Sequence, residues 1–364
     1  MKRIPTLDGW RAVAILSVIW HHAMKFFFTN EDSYYSTAAR FGAFGVDVFF
    51  GLSGVLITGL LLTEWHEVGS VTLKAFYTRR VFRIFPVYLL FLGVVAMVSL
   101  MQGPRELASC LLFYRNYLPK GWLWPYTDHL WSLSVEEHFY LIWPGLLVLC
   151  GVKRGRNVAA WLAIAVGFWR MVEPQMALHL FPEVPPHFRS DLRMDALLWG
   201  AVVAFTLNDG KTREKLRMQL CFWPWLGMVV VALLCIRFYS SLTSMWLAVL
   251  IPMILAGTVL HPEWLVSRML DSTPFVWIGR ISYSLYIWQQ LFLVPGWENP
   301  SHFWTRWPWN LLVVLAVACV SYYLVETPLL RLGGRLAAKF KARSSAQARF
   351  TADSLESYHL HDAL

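Results

Sequence analysis

The first long apolar stretch of the chain covers residues 10–28 and reads WRAVAILSVIWHHAMKFFF. It is hydrophobic enough to enter a bilayer, yet it carries Arg11 and His22. An Arg or His at membrane depth costs roughly 2.5 kcal/mol or more unless it faces protein or water, which favours a functional role. The two residues would lie roughly 16 Å apart along a helix, about half of the hydrocarbon core. The alternative is a snorkelling Arg and a hydrogen-bonded core His.

The composition is that of a membrane protein. Of the 364 residues, 57% are hydrophobic and 15% are charged, and the mean hydropathy is +0.46, so the chain is far more apolar than a soluble domain. The net charge of +9 does not indicate nucleic acid binding, because the basic residues form short clusters between apolar runs, as the positive-inside rule predicts. The five cysteines show no Cys-x-x-Cys spacing, so we expect neither a metal site nor disulfides.

Ten apolar stretches have the length, or nearly the length, that crosses a bilayer. They lie at residues 10–28, 43–63, 84–102, 131–150, 158–178, 194–207, 219–238, 243–260, 279–297 and 309–327. The sequence therefore predicts an all-α fold, a polytopic transmembrane bundle of about ten helices. The sixth stretch is short and has Arg193 and Asp195 at its start, so we expect a half-inserted or interior helix there.

Positive charges are distributed unevenly over the connections between these stretches. Basic clusters lie at residues 74–83, 153–156, 211–217 and 331–349, and all four fall on one side together with both termini. The positive-inside rule therefore predicts that both termini are cytoplasmic. We expect residues 1–335 to form a transmembrane domain and residues 336–364 a polar, disordered cytoplasmic tail.

Arg79, Arg80 and Arg83 lie where a cytoplasmic loop meets the third apolar stretch. Arg80 and Arg83 are three positions apart and share one helical face. Paired guanidinium groups favour phosphate, and several phosphates in one cytosolic molecule indicate a nucleotide or coenzyme A. The alternative for the cluster taken alone is an ordinary positive-inside signal.

The fourth stretch opens with residues 131–140, which read WSLSVEEHFY. We do not expect its two carboxylates and its imidazole to face lipid. Helical spacing places Ser132, Glu136 and Tyr140 on one face. A carboxylate buried near His22 would fix the tautomer of the imidazole and stabilise its cation. The alternative is a carboxylate satisfied by the helix dipole alone.

Further polar residues interrupt the apolar sequence. Ser53 offers a hydroxyl between two glycines, although small residues in such a segment often serve helix packing only. Asp47 would prefer a cation or a substrate hydroxyl if it lay unpaired near the outer face. An alternating group of charges follows at Arg189, Asp191, Arg193 and Asp195. Its members either neutralise one another or contact a substrate, and the sequence leaves both open.

Taken together, these stretches resemble the acyltransferase-3 family of integral-membrane O-acyltransferases, from residue 7 to residue 331. The resemblance rests on the joint order of several motifs. They are LDGWRA at 7–12, the spacing of Arg11 and His22, VDVFF at 46–50 with Ser53 and Gly54, Arg80 and Arg83 before Pro86, Ser132 with Glu136, Phe139 and Tyr140, RMDAL at 193–197, ISYSLY at 281–286 and ETP at 326–328.

This resemblance implies transfer of an acyl group, usually acetyl, from cytoplasmic acyl-coenzyme A to a hydroxyl of an extracytoplasmic or lipid-linked glycan. It implies a multi-pass protein of the bacterial cytoplasmic membrane that takes part in modification of the cell envelope. The implied partners are acetyl-coenzyme A as acyl donor, a glycan or glycolipid acceptor and the lipid bilayer. Neither nucleic acid nor a metal cofactor is expected.

The resemblance also implies roles for single residues. His22 would act as a general base on the acceptor hydroxyl or carry the acetyl group itself, and the sequence does not decide between these roles. Glu136 would orient His22 or balance its charge, and Arg11 would polarise the thioester carbonyl or hold a phosphate. The coenzyme would contact Arg80, Arg83, Arg79 and Ser53. The acceptor would contact Asp47, Ser132, Tyr140, Arg193 and Asp195.

The sequence departs from the family pattern in two places. Many relatives have a His after the Trp of the ninth-helix motif, where residues 288–290 here read WQQ. Many relatives also append an extracytoplasmic hydrolase-like domain, so we expect this chain to act alone on a lipid-linked or polymeric acceptor, or with a separate partner. Trp122, Trp124 and Tyr126 in an outer loop suit either sugar stacking or an interfacial aromatic belt.

Two other functions compete with acyl transfer. A transporter or lipid flippase would use the same intramembrane charges to bind a substrate, but it predicts paired repeats with interrupted helices, and no such repeat is visible in the sequence. A non-catalytic homologue would bind an acyl carrier or a glycan partner only. The joint presence of five residues, Arg11, His22, Arg80, Arg83 and Glu136, argues against it.

Overall fold

The computed structural model describes residues 3–27, 33–98, 103–119, 125–176, 181, 183–293 and 306–342. Every regular element within these residues is helical. The predicted all-α bundle is therefore confirmed. Trp122, Trp124 and residues 343–364 lie outside the described residues, so the aromatic loop and the disordered tail stay predictions.

Thirteen α-helices form the described part of the chain. They are α1 (Pro5–Phe27), α2 (Ser33–Val68), α3 (Leu73–Met97), α4 (Pro104–Leu111), α5 (Leu130–Cys150), α6 (Val152–Val172), α7 (Ser190–Asn208), α8 (Gly210–Gln219), α9 (Phe222–Arg237), α10 (Ser241–Leu260), α11 (Leu265–Leu270), α12 (Thr273–Trp288) and α13 (Trp309–Ser321). A π-helical turn, Tyr322–Glu326, follows α13, and helical structure continues to Ala342.

Each of the ten predicted stretches corresponds to a helix, with shifted ends. The largest shift is in α3, which begins at Leu73 instead of residue 84. The first three turns of α3 carry several charges, so an apolar window excludes them although they are helical. As a result Arg79, Arg80 and Arg83 lie on the helix rather than at a loop junction. Helices α4, α8 and α11 are short or polar and were not predicted.

Five described helices are long and apolar enough to cross a membrane by length and composition alone. They cover residues 41–68, 73–97, 130–150, 241–260 and 309–342. Helices α8 and α9 pass the same test together but are bent by 78° at the break between them. The interior helix α7 does not pass. Its Arg193 and Asp195 are buried by neighbouring helices, which fits the interior alternative for the sixth stretch.

Close helix packing aligns the elements that carry the polar residues. Helix α2 packs along both α1 and α7, and α1 packs along α12. Gly54 of α2 lies against the backbone of Leu197 in α7, and Gly279 of α12 lies against the backbone of Asp8 in α1. A Cβ atom at either glycine would overlap these backbone atoms. Small residues thus allow the close approach that is typical of membrane helices.

Candidate active site

Two cavities share one wall, Tyr286, and α1 contributes to both. The arginine cavity, of about 90 Å³, is lined by Arg11, Arg80, Arg83 and Glu136 among others. The histidine cavity, of about 390 Å³, is lined by His22, Asp47 and His129 among others. Since Arg11 and His22 are separated by roughly 16 Å of helix, the two cavities follow each other along the axis of α1.

The arginine cavity brings together three predicted guanidinium groups. Arg11 is 3.2 Å from a carboxylate oxygen of Asp8, and Arg83 is 2.9 Å from one of Glu326. Arg80 instead lies over the ring of Tyr140, 5.3 Å from its centroid. The Nε atom of Arg80 is buried without a hydrogen-bond partner among the described residues. Arg80 therefore presents the least compensated positive charge in this cavity.

A hydrogen-bonded group of three side chains forms another wall of the arginine cavity. The Tyr140 hydroxyl lies 2.6 Å from Glu136 Oε2 and 2.9 Å from Ser53 Oγ, and Ser53 Oγ donates to Glu136 at 3.1 Å. These contacts join α2 to α5 and hold Glu136 beside the arginines. The described hydrogen bonds of Glu136 go to Ser53 and Tyr140, and His22 lines the other cavity. That Glu136 orients His22 or balances its charge therefore stays a prediction.

The histidine cavity collects polar groups from α1, α2, α5 and α7. His22 is buried and its ring meets that of His21 edge to face, with centroids 5.2 Å apart. Asp47 pairs with Arg193, whose Nη2 lies 2.6 Å from its carboxylate. Of the two partners expected for Asp47, a cation or a substrate hydroxyl, the structure shows the cation, because the close packing of α2 on α7 supplies Arg193.

Tyr286 of α12 separates the two cavities. Its hydroxyl donates to the backbone carbonyl of His129 at 2.5 Å and accepts from Ser132 Oγ at 2.5 Å. Its ring lies edge-on to Phe49, with centroids 6.1 Å apart. These contacts fix both ends of the side chain at a position where it lines both cavities. The ISYSLY motif contains this residue, but sequence reasoning assigned it no role.

Two predicted site residues line neither cavity. Arg79 turns away and pairs with Glu64 at 3.2 Å, while Asp195 pairs with Arg170. In the alternating charge group, Arg189 neutralises Asp191 at 2.6 Å and also pairs with Glu173 at 2.6 Å. The group is thus neutralised partly from within and partly by Arg170, Glu173 and Asp47 on other elements.

Tyr117 ends a short 3₁₀ turn, Arg115–Tyr117, between α4 and α5, and it contacts this charge cluster. Its hydroxyl donates to Asp191 at 3.0 Å. Burial, reinforced by the nearby Asp191 carboxylate, raises the pKa of Tyr117 to about 12. The hydroxyl therefore stays neutral at physiological pH and remains a hydrogen-bond donor.

Sequence reasoning also missed Arg170 and Glu326 as partners of site residues. Glu326 is 1% exposed and is the last residue of the π-helical turn after α13, a local widening that is frequent at functional sites. The available signal was an ionisable residue at the end of an apolar run, which needs a partner. No group of three or more His, Cys, Asp or Glu side chains in the described ranges is arranged to hold a metal ion.

The family profile and the relatives that match this chain are all described as acyltransferases. The profile of a family described as an acyltransferase domain, acyltransferase-3, matches residues 4–326. The peptidoglycan O-acetyltransferase OatA of Listeria monocytogenes is 28% identical over 91% of this chain and 56% of its own length. The putative peptidoglycan O-acetyltransferase YrhL of Bacillus subtilis is 29% identical over 92% of this chain and 56% of its own length.

A putative O-acetyltransferase of Staphylococcus aureus is 27% identical over 90% of this chain and 57% of its own length. The chain therefore spans little more than half the length of these curated relatives. No solved structure matches.

Proposed function

Because the chain belongs to the acyltransferase-3 family, we propose that it is a membrane O-acetyltransferase. It moves an acetyl group from cytoplasmic acetyl-coenzyme A to a hydroxyl of an extracytoplasmic or lipid-linked glycan. Its place is the bacterial cytoplasmic membrane, with both termini in the cytoplasm. The relatives named as peptidoglycan O-acetyltransferases support an acceptor in the cell wall.

The observation that carries this proposal is the pair of cavities that meet at Tyr286. One cavity offers arginines and the other an imidazole, and they follow each other along α1. Such a pair of cavities is required if the acyl donor stays on one side of the membrane and the glycan acceptor stays on the other. Coenzyme A is a large anion that does not cross a bilayer, so only the acetyl group has to pass.

The arginine cavity suits the donor. Guanidinium groups bind phosphate oxygens through charged hydrogen bonds, and Arg80 has an unsatisfied buried N–H group to offer. A cavity of about 90 Å³ admits the thioester end of the coenzyme and not the whole molecule. Arg80 and Arg83 are therefore assigned to the phosphates, and Arg11 is assigned to polarising the thioester carbonyl.

His22 performs the chemistry by one of two routes. As a general base it takes the proton of the acceptor hydroxyl while the oxygen attacks the thioester carbonyl, and the carbon–sulfur bond breaks to release coenzyme A as a thiolate. As a nucleophile it attacks the thioester itself, releases coenzyme A and then passes the acetyl group from its ring nitrogen to the hydroxyl. The separation of the cavities favours the second route, because donor and acceptor need not meet.

The test is acetyl transfer from radiolabelled acetyl-coenzyme A added to sealed inside-out vesicles that contain native envelope glycans. We expect wild-type protein to label glycan and His22→Ala to label none, while its coenzyme binding persists. His66→Ala is the matched control, since His66 is exposed on α2 and lines neither cavity. His22-independent transfer would exclude the mechanism, and coenzyme binding without any transfer by wild-type protein would favour a binding protein or transporter.

A further inference from the structure

A third cavity, of about 170 Å³, lies beside the histidine cavity, and we call it the lateral cavity. His187, Arg193 and Tyr239 line both cavities, so the two are adjacent. The remaining polar lining of the lateral cavity consists of Arg170, Ser240, Ser241 and Ser244. None of the mechanistic steps above uses this space.

Two buried arginines form the floor of the lateral cavity, and each is 5% exposed. Arg170 pairs with Asp195 through Nη2 and donates from Nε to the Leu192 carbonyl at 2.5 Å. Its Nη1 is buried without a hydrogen-bond partner among the described residues. Each buried donor of this kind is costly to leave unpaired, which points to a ligand.

Arg193 is arranged in the same way. Its Nη2 is held by Asp47 at 2.6 Å and its Nη1 donates to Ser244 Oγ at 3.5 Å. Its Nε is buried, and within the described chain it has no hydrogen-bond partner. A carboxylate thus anchors one edge of each guanidinium, and each keeps one unmatched N–H group for a further acceptor.

The remaining residues that line the lateral cavity also favour a negatively charged ligand. The lateral cavity lies at the N-terminus of α10, where the first-turn N–H groups and the helix dipole favour negative charge. Serine hydroxyls supply further donors, and no carboxylate occurs among the described lining residues. Tyr239, Ser240 and Ser241 are exposed, so a ligand can enter from the surface while the arginines lie at depth.

We propose that the lateral cavity binds an oxyanion, a carboxylate or a phosphate group, that belongs to the acceptor. This inference rests on the proposed function, because it takes the histidine cavity as the place of the acceptor hydroxyl. The acceptor is then an acidic glycan whose charged group lies beside the modified sugar hydroxyl. The charge comes either from a sugar carboxylate or from the phosphate of a lipid carrier.

The first test measures acceptor choice with purified full-length protein in lipid vesicles. One pair of acceptors compares a carboxylated oligosaccharide with its carboxyl-reduced form, and the other compares a lipid-phosphate-linked oligosaccharide with the free one. We expect at least about a tenfold preference for the charged member of one pair, the size of one charged hydrogen bond. Equal rates within both pairs would overturn the proposal, and the pair that shows the preference identifies the source.

Two variants alter the Arg170–Asp195 pair in different ways. Asp195→Asn raises the net charge of the pair by one and leaves Arg170 uncompensated, so the KM for the charged acceptor should fall. Arg170→Gln combined with Asp195→Asn keeps the net charge of the wild-type pair but removes the guanidinium donors, so it should raise that KM about tenfold. The rate on the neutral acceptor is the internal control for folding. Parallel changes on charged and neutral acceptors would mean a structural role only, and would overturn the proposal.

A second measurement is independent of acetyl transfer. At constant ionic strength, sodium glucuronate or inorganic phosphate should raise the thermal unfolding midpoint of the wild-type protein and not that of the double variant. Glucose should have no effect on either. Anion binding without transfer would refute the proposed function and keep the site, whereas transfer without an anion effect or a charge preference would refute the site alone.

Discussion

Arg80 differs from its two neighbouring arginines in its surroundings. Arg79 and Arg83 have carboxylate partners, whereas Arg80 lies on aromatic rings and has none in the part of the chain that the structure describes. We therefore expect Arg80→Ala to raise the KM for acetyl-coenzyme A about tenfold or more, the usual loss for a charged hydrogen bond. Arg79→Ala should have a much smaller effect. Initial rates against coenzyme concentration measure both.

The opposite order of effects would contradict this ranking. It would mean that Arg79 leaves Glu64 and turns to the coenzyme, as the sequence had predicted. If Arg79 binds the coenzyme, substituting both Arg79 and Glu64 should change the KM by as much as substituting Arg79 alone. If Arg79 acts only through its pair with Glu64, the double and single variants should differ.

Tyr286 is the residue whose removal should connect the cavities. It lines both cavities, and its hydroxyl holds Ser132 and the His129 carbonyl. We expect Tyr286→Ala to admit water to the thioester, so that coenzyme A is released several-fold faster than acetylated glycan appears. Tyr286→Phe keeps the ring, so it should show little leakage and a loss of about 1–3 kcal/mol in stability for the unpaired groups.

The measurement is the ratio of free thiol released to acetyl groups transferred. A ratio near one in folded Tyr286→Ala protein would show that the ring is not the barrier. Thermal unfolding of both variants provides the control for folding.

At the residue scale, the sequence predicted the individual charged residues better than their partners. Arg11, His22 and Glu136 were found because an ionisable group inside an apolar stretch is costly and therefore indicates a functional role. The pair of Asp47 with Arg193 spans 146 positions, and no local pattern encodes such a contact. The prediction that Glu136 lies beside His22 has the same weakness, because no local pattern encodes which ionisable groups meet. Its face on α5 was predicted, but its depth relative to α1 depends on helix packing.

At the element scale, the contact of α2 with α7 depends on glycine. A Cβ atom on Gly54 would overlap the Leu197 carbonyl, and backbone cannot move aside as a flexible side chain can. We expect Gly54→Ala to lower the thermal unfolding midpoint clearly and to reduce activity. Gly93→Ala is the matched control in α3, where an added methyl meets nothing within 4 Å and helix propensity favours Ala by about 1 kcal/mol.

Equal midpoints for the two glycine variants would show that α2 and α7 separate at little cost. The Asp47 to Arg193 pair would then be mobile as well, because it bridges the same two helices. Activity of each variant, measured beside its unfolding midpoint, shows whether the site depends on this contact.

The ten long helices were predictable because each long apolar run needs internal hydrogen bonds in a bilayer. The residues at which the helices begin and end were less predictable. Helix α3 starts eleven residues before the predicted stretch because its first turns are charged yet helical. The π-helical turn that ends at Glu326 leaves no mark on hydrophobic periodicity, so the contact of Glu326 with Arg83 could not be anticipated.

At the scale of the whole molecule, the mechanism requires that the two cavities face opposite sides of the membrane. Gln175 lies in the turn that follows α6 and Glu214 lies in α8, so α7 is the long helix between them, and both residues are exposed. In a chain whose cysteines are replaced, Gln175→Cys should react with a membrane-impermeant maleimide in intact cells. Glu214→Cys should react only after permeabilisation. The reverse pattern would place the arginine cavity outside, where no acetyl-coenzyme A is available, and donor and acceptor would then have to exchange places.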